Sequence, residues 1–147
     1  MMKKFLLTLS LCIISTYAAA FSFTDIKGKQ QNLSDYTGKW VLVNYWAPWC
    51  PRCKMDFPNL NDIDSLPNFV VIGIGMDYGT DKASIIDIAK RYNLRFPVII
   101  GGTRRDIQFQ VGPVDFYPTS YLFDPSGKLI MFIPGVVNKQ RLMRLSK

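Results

Sequence analysis

The sequence contains no histidine, and this absence excludes several kinds of site at once. Zinc centres with histidine ligands, Ser-His and Cys-His nucleophile pairs, and imidazole proton relays all need that side chain. Cysteine is scarce as well, because the 147 residues include three: Cys12, Cys50 and Cys53. Exported proteins that depend on disulfides for stability scatter several cysteines along the chain. A close pair such as Cys50 and Cys53 closes too short a loop to stabilise much, so a chemical role is favoured.

A basic stripe interleaved with aromatic residues is also missing, so we predict no nucleic-acid partner. The net charge is +7, and it becomes +5 when Lys3 and Lys4 are set aside, with 16 Lys and Arg against 11 acidic residues. The excess is spread out, with one pair at Arg104 and Arg105 and a basic C-terminal end from Lys139 to Lys147. We interpret these charges as a solvated face.

The first twenty residues have the pattern of a secretory signal. Lys3 and Lys4 form a positive start, residues 5–14 form an apolar run, and Ala18 to Ala20 offer a cleavage site. The apolar run is short for a membrane span, although an uncleaved anchor remains an alternative. We therefore expect residues 1–20 to be a signal peptide and residues 21–147 to form one domain.

The chemistry is predicted at the end of a short apolar strand. Residues 41–46 are apolar and β-branched in the manner of a strand covered on both faces, and Ala47-Pro48 interrupts them. Pro51 suits the first turn of a helix, where its missing N–H needs no partner. Cys50 should then lie at a helix N-terminus, where the helix dipole favours a thiolate, and Cys53 should lie one turn further along. This arrangement is suited to redox chemistry.

The remaining pattern alternates strands and helices before a final hairpin. We predict Asp81 and Asn138 as helix caps, a kink or second start at Pro58, and a short helix around Ile107. Residues 124–127 have the composition of a hairpin turn. The order implies parallel central strands and antiparallel edge strands. The predicted strands cover 21–25, 40–46, 69–76, 96–100, 119–123 and 128–133, and the predicted helices 33–37, 51–66, 82–92 and 139–145.

Two segments resemble a known family. Residues 46–53 (WAPWCPRC) look like the active-site motif of thioredoxin-fold proteins, and residues 39–46 are similar to the lead-in of the TlpA/ResA/DsbE group of exported thiol-disulfide oxidoreductases. Residues 117–129 (YPTSYLFDPSGKL) resemble a second segment of the same group, which begins with a Pro-Thr pair. The resemblance implies an α/β thioredoxin-like fold, with a central mixed sheet flanked by helices, and a periplasmic location.

The resemblance also assigns roles. Cys50 matches the nucleophile, Cys53 the resolving cysteine, and Pro118 a cis-proline that faces the pair and exposes the backbone of Tyr117 to a partner chain. Asp56 matches an acidic position, usually Glu, that influences cysteine ionisation, with a solvated helix carboxylate as the alternative. Asn44 stands where cytosolic thioredoxins have a proton-relaying carboxylate, so Cys53 would need Asp56 or water.

The residues around the cysteines carry further expectations. Trp49 and Pro51 belong to the motif itself, and Arg52 places a cation beside the pair. Because a cation favours the Cys50 thiolate, we expect a reduction potential above that of thioredoxin. A solubilising or partner-contacting role for Arg52 is the alternative.

Three functions remain open. The first is a reductase of disulfides in exported proteins, such as apocytochrome c, kept reduced by a DsbD-like membrane donor. The second is an oxidase that donates its disulfide, a role that usually goes with a helical insertion for which the chain is too short. The third is a Cu(I) metallochaperone, for which no histidine ligand is present, so we predict no metal site. Peroxide reduction is disfavoured, because Val43 and Ala47 stand where such enzymes have Pro and Thr.

Overall fold

The computed structural model describes residues 21–76, 82–101 and 110–147. It contains seven strands in this part of the chain: β1 (Ser22–Thr24), β2 (Gln30–Asn32), β3 (Trp40–Trp46), β4 (Phe69–Gly75), β5 (Val98–Ile100), β6 (Thr119–Phe123) and β7 (Leu129–Pro134). The helices are α1 (Pro51–Asp64), α2 (Lys82–Arg91) and α3 (Lys139–Leu145), with a 3-10 helix at Leu33–Tyr36.

Five strands form one mixed sheet in the order β5-β4-β3-β6-β7. β3 pairs in parallel with β4, and β4 with β5, whereas β6 is antiparallel to both β3 and β7. The parallel half follows from the helices α1 and α2, because a crossover helix is what returns the chain to the same end of a sheet. β3 is therefore the central strand, and its C-terminal end carries the cysteine turn.

The sheet separates two apolar layers, and the alternation along β3 decides which residue enters which layer. Leu42 and Trp46 face the layer that also contains the buried sides of α1, α2 and α3. Val43 and Tyr45 face the opposite layer, which includes residues of β1 and β6. Both cysteines belong to the helix-side layer. The cysteine pair is thus built into the main core.

Four sequence predictions are corrected by the structure. Both strands of the final hairpin were expected at the edge of the sheet, but only β7 lies there, because β6 is inserted between β3 and β7. The antiparallel direction of a strand does not by itself specify an edge position. α1 continues through Pro58 without a second start, since a proline removes one backbone hydrogen bond while Phe57 and Leu60 hold the helix to the core. β5 begins at Val98 rather than at residue 96. α1 ends at Asp64, two residues earlier than expected.

Other predictions are confirmed. The turn at residues 124–127 joins β6 to β7, with Gly127 at a positive φ of 83°. Asn138 caps α3, its side chain accepting a hydrogen bond from Arg141 N at 2.9 Å. The signal peptide, the Asp81 cap and the helix around Ile107 lie outside the described residues. None of the helices in the described ranges has the length and hydropathy needed to cross a membrane.

Candidate active site

The cysteine turn begins where β3 ends. Cys50 is the N-cap of α1, and Pro51 is the first residue of that helix, as predicted from the sequence. Cys50 N donates to Ala47 O at 3.1 Å, which closes the turn. Cys53 N donates to Cys50 Sγ at 3.2 Å, so the sulfur replaces the side-chain oxygen of a usual cap. The positive end of α1 therefore acts directly on the Cys50 sulfur.

The two sulfurs form a disulfide, with the Cα atoms 5.4 Å apart. Cys50 keeps 5% of its surface exposed, whereas Cys53 is completely buried. Of the two cysteines, only Cys50 therefore keeps any surface exposed to solvent.

Pro118 lies on the segment that packs beside this turn. The Tyr117–Pro118 peptide bond is cis, as the resemblance to thioredoxin-fold proteins implies. The Tyr117 ring meets the Trp49 ring edge to face, with centroids 5.5 Å apart. Trp49, which immediately precedes Cys50, is 63% exposed, so aromatic surface adjoins the disulfide. Pro51 and Arg52 are exposed on the first turn of α1.

A buried carboxylate lies one helical turn beyond Cys53. Asp56 is 1% exposed and accepts hydrogen bonds from Asn59 Nδ2 at 2.9 Å and from Val137 N at 3.2 Å. Burial raises the pKa of Asp56, and these two hydrogen bonds only partly oppose that effect. The alternative of a solvated helix carboxylate is therefore wrong, because the loop before α3 covers this side of α1.

Asn44 is buried on the same face of β3 as Trp46. Its Nδ2 donates to Ser120 Oγ at 2.9 Å across the β3–β6 pair, where the two residues are directly opposite. Within the described chain, no donor reaches Asn44 Oδ1, and no acceptor reaches Trp46 Nε1. Asn44 thus places a neutral amide at the position where cytosolic thioredoxins have a proton-relaying carboxylate. An amide in this state offers no proton exchange near neutral pH.

Three residues at the site escaped the sequence reasoning: Asn59, Ser120 and Val137. Asn59 follows Asp56 by three residues on one helix, a spacing that could have revealed it. Ser120 and Val137 are separated by 76 and 81 residues from Asn44 and Asp56, respectively, and no local pattern links them. Among the described residues, no group of three or more His, Cys, Asp or Glu side chains is arranged to hold a metal ion.

Fold and site together define a thioredoxin-fold protein with a redox-active cysteine pair. The family model described as AhpC/TSA family matches residues 14–131, and the chain belongs to this family. Among curated proteins, the chain is 32% identical over 135 residues to the thiol-disulfide oxidoreductase ResA of Geobacillus kaustophilus (strain HTA426), covering 89% of this chain and 75% of that protein. For ResA of Bacillus cereus (strain ZK / E33L) the identity is 35% over 133 residues, with coverage of 88% and 74%.

Solved structures agree with this assignment. The exposed lipoprotein thioredoxin Etrx1 of Streptococcus pneumoniae strain TIGR4 superposes with a TM-score of 0.69 at 27% identity, covering 86% of this chain and 97% of that one. The protein is therefore a thiol-disulfide oxidoreductase of the ResA and DsbE type. The family resemblance and the fold class inferred from the sequence are both confirmed.

Proposed function

We propose that this protein is a disulfide reductase that acts on exported proteins outside the cytoplasm. The observation that carries the proposal is the asymmetry of the pair: an accessible Cys50 at the start of α1, with a fully buried Cys53 behind it. Apocytochrome c is a candidate substrate, and a DsbD-like membrane protein is a candidate electron donor. A periplasmic location, after removal of residues 1–20, belongs to the same proposal.

The reaction begins with the reduced pair. The Cys50 thiolate attacks one sulfur of the partner's disulfide, and the other sulfur leaves as a thiolate that takes up a proton. Cys53, once deprotonated, then attacks the Cys50 sulfur of the mixed disulfide. The partner's second sulfur leaves and is protonated, and the Cys50–Cys53 disulfide forms. Two electrons have passed to the partner, and the membrane donor returns two electrons and two protons to the pair.

Asp56 is proposed as the base for the buried Cys53 thiol. It lies one turn along the same helix face, and its raised pKa makes it a stronger base than an exposed carboxylate. Asn44 supports the packing beneath the pair and leaves this task to Asp56. Arg52 is proposed to stabilise the Cys50 thiolate from the exposed side of the first turn.

Trp49, Tyr117 and the cis-proline Pro118 are proposed to form the docking edge for the partner's chain. The edge-to-face contact between the two rings supports this, because it keeps aromatic surface next to the only accessible sulfur of the pair. Pro51 is proposed to keep the first turn of α1 helical without a backbone donor directed at the partner.

The AhpC/TSA family raises peroxide reduction as a competing chemistry. Val43 and Ala47 are both fully buried and provide no hydroxyl group near Cys50. A peroxide would therefore find no side-chain donor at either position, which supports disulfide exchange with proteins as the proposed reaction.

The test is the reduction potential of the Cys50–Cys53 pair, measured by equilibration with glutathione and mass-shift detection of free thiols. A value close to the thioredoxin end, about −270 mV, supports the reductase. A value close to about −120 mV would instead favour donation of the disulfide to folding proteins. A pair that cannot be cycled would refute both.

A second test concerns the order of attack. Cys50→Ser should abolish turnover, because the accessible nucleophile is lost. Cys53→Ser should accumulate a mixed disulfide between Cys50 and the partner, visible on a non-reducing gel. The matched control is Ser65→Ala, at an exposed position just after α1, which should leave turnover unchanged. A Cys53→Ser protein that traps nothing would contradict the assigned order.

A further inference from the structure

The side chain of Asn59 joins the buried carboxylate of Asp56 to the loop that precedes α3. Its Nδ2 donates to Asp56 Oδ1 at 2.9 Å and to Val137 O, also at 2.9 Å. An amide nitrogen carries two hydrogens, so both of them are used here. Because both partners are acceptors, the side-chain oxygen of Asn59 cannot take the place of the nitrogen. The orientation of this amide is therefore fixed by its contacts.

Val137 closes the arrangement from the other side. Its N–H donates to Asp56 Oδ2 at 3.2 Å, while its C=O accepts from Asn59. Asp56, Asn59 and Val137 thus form a ring of three hydrogen bonds, which we call the carboxylate clamp. Each oxygen of the carboxylate has one donor of its own, so the clamp sets the direction in which the carboxylate points.

The burial of Asp56 explains why the clamp matters for proton transfer. Asp56 is 1% exposed, and Val137 is also buried, whereas Asn59 is half-buried. Burial disfavours the charged form of a carboxyl group, and a protonated carboxyl group cannot accept the proton of a thiol. The two donors of the clamp favour the ionised form instead. Each carboxylate oxygen can still accept a second hydrogen, so the clamp leaves the base able to act.

The charged and ionisable groups beside Asp56 come from α1 and from the segment around the start of α3. Cys53 lies one turn before Asp56 on α1 and is completely buried. The loop at residues 135–137 (GVV) contains no ionisable side chain. In the described part of the chain, no charged side chain shifts the pKa of Asp56, so Lys54 on α1 and Lys139 on α3 leave it unaffected. The clamp is therefore the polar contribution that opposes burial.

We propose that Asn59 is a positioning residue for the resolving step, because it keeps Asp56 ionised and directed to take the proton of Cys53. This inference rests on the proposed role of Asp56 as the base. In this step the thiol proton passes to Asp56, and the Cys53 thiolate attacks the Cys50 sulfur of the mixed disulfide. The Cys50–Cys53 bond forms, and the partner's sulfur leaves with the electron pair of the broken bond. That thiolate is then protonated, and Asp56 returns its proton to solvent.

The test separates the two thiol steps with dithiodipyridine, a small disulfide that releases one thiopyridone at each step. The full chain carries Cys12→Ser, so that Cys50 and Cys53 are its only thiols. The reduced protein is mixed with an equimolar amount of the probe. Attack by Cys50 releases the first thiopyridone, and closure by Cys53 releases the second, so the pair gives up two electrons and becomes a disulfide. The readout is the pH profile of the second release, followed by stopped-flow absorbance.

Asn59→Leu removes the donor and covers the carboxylate against water. The pKa of Asp56 should then rise further, because one of the two hydrogen bonds that oppose burial is lost. Asp56 must be ionised to accept the proton, so the midpoint of the second release should move to higher pH. The loss of one hydrogen bond corresponds to a shift of about 0.5–1 pH unit. The profile of the first release, which reports Cys50, should not move.

The matched control is Asn61→Leu, which removes another amide from α1. Asn61 Nδ2 donates to Asn93 O at 3.0 Å, and its Oδ1 accepts from Arg95 N at 2.8 Å, so it joins α1 to a different loop. We expect no shift of the second release in this control. Circular dichroism establishes that each variant keeps the fold. Asn59→Ala replaces Asn59→Leu if the larger side chain is not accommodated, with an upward shift that is smaller because water can reach the carboxylate.

The reference variant Asp56→Asn distinguishes the ways in which the proposal can fail. A shift in Asp56→Asn together with an unchanged profile in the Asn59 variant refutes the role of Asn59 and leaves Asp56 as the base. An equal shift in the Asn59 variant and in Asn61→Leu makes the effect a general loosening of α1, which also overturns the proposal. An unchanged profile in Asp56→Asn refutes the base and the inference with it. A parent protein that releases no thiopyridone refutes the thiol function itself.

Discussion

The buried carboxylate of Asp56 makes a prediction that can be worked out in detail. Asp56 is 1% exposed, and both of its hydrogen-bond donors, Asn59 Nδ2 and Val137 N, are uncharged. Desolvation therefore raises the pKa of Asp56 above the ordinary value of 3.8. In the unfolded chain the same carboxyl ionises at its ordinary value. Between the two values, the folded state keeps a proton that the unfolded state has released.

The sign of the pH dependence follows from this difference. Unfolding releases a proton in that window, so the free energy of unfolding falls as the pH rises, by up to about 1.4 kcal/mol per pH unit. Below the ordinary pKa, both states are protonated and Asp56 has no effect. Above the raised pKa, the loss of stability is complete and constant. Asp56→Asn abolishes this contribution, because the amide does not titrate.

The assay is urea unfolding of the oxidised protein between about pH 3 and pH 8, a range that begins below the ordinary pKa of the carboxyl group. The difference in stability between Asp56→Asn and the parent protein should move in favour of the variant as the pH rises. A weakened hydrogen bond would cost about 1 kcal/mol at every pH, so it displaces the difference without changing its slope. Asp62→Asn, at an exposed position on the same helix, is the matched control. A pH-independent difference for Asp56→Asn would refute the argument.

The remaining predictions concern the core, the redox pair and one cap. Gly73→Ala should lower the stability by about 1–3 kcal/mol in urea unfolding, because an added Cβ would lie 2.7 Å from Phe96 Cε2 and 3.1 Å from Trp46 Nε1; an unchanged midpoint would contradict this close packing. An exposed cation stabilises the reduced state by up to about 1 kcal/mol, so Arg52→Gln should lower the reduction potential by about 10–20 mV. A rise in the potential would disprove the role assigned to Arg52. Asn138→Ala should cost about 1 kcal/mol of stability through loss of the α3 cap, whereas Asn68→Ala, at an exposed position outside the helices, should cost less.

Much of the fold follows from patterns that act over a few residues. The strand at 40–46, the helix start at Pro51 and the turn at 124–127 were all predicted, because periodicity, proline and turn chemistry act locally. The second helix start considered at Pro58 does not occur, because the local pattern leaves out the packing that holds Phe57 and Leu60 in the core. The placement of β6 also required tertiary information. Strand order depends on which hydrogen-bonding edge is free after the earlier strands have paired, and the spacing of residues in the sequence does not reveal which edge that is.

The sequence by itself determined the chemistry of this protein: one close cysteine pair, the proline that starts the helix behind it, and no histidine to take part. Only the tertiary structure decided which cysteine is accessible and that Asp56 is buried. The physical reason is distance along the chain. The contact between Asp56 and Val137 joins residues 81 positions apart, and the rings of Trp49 and Tyr117 meet because β6 lies beside β3. Desolvation, and with it the raised pKa of Asp56, exists only once those segments have packed together.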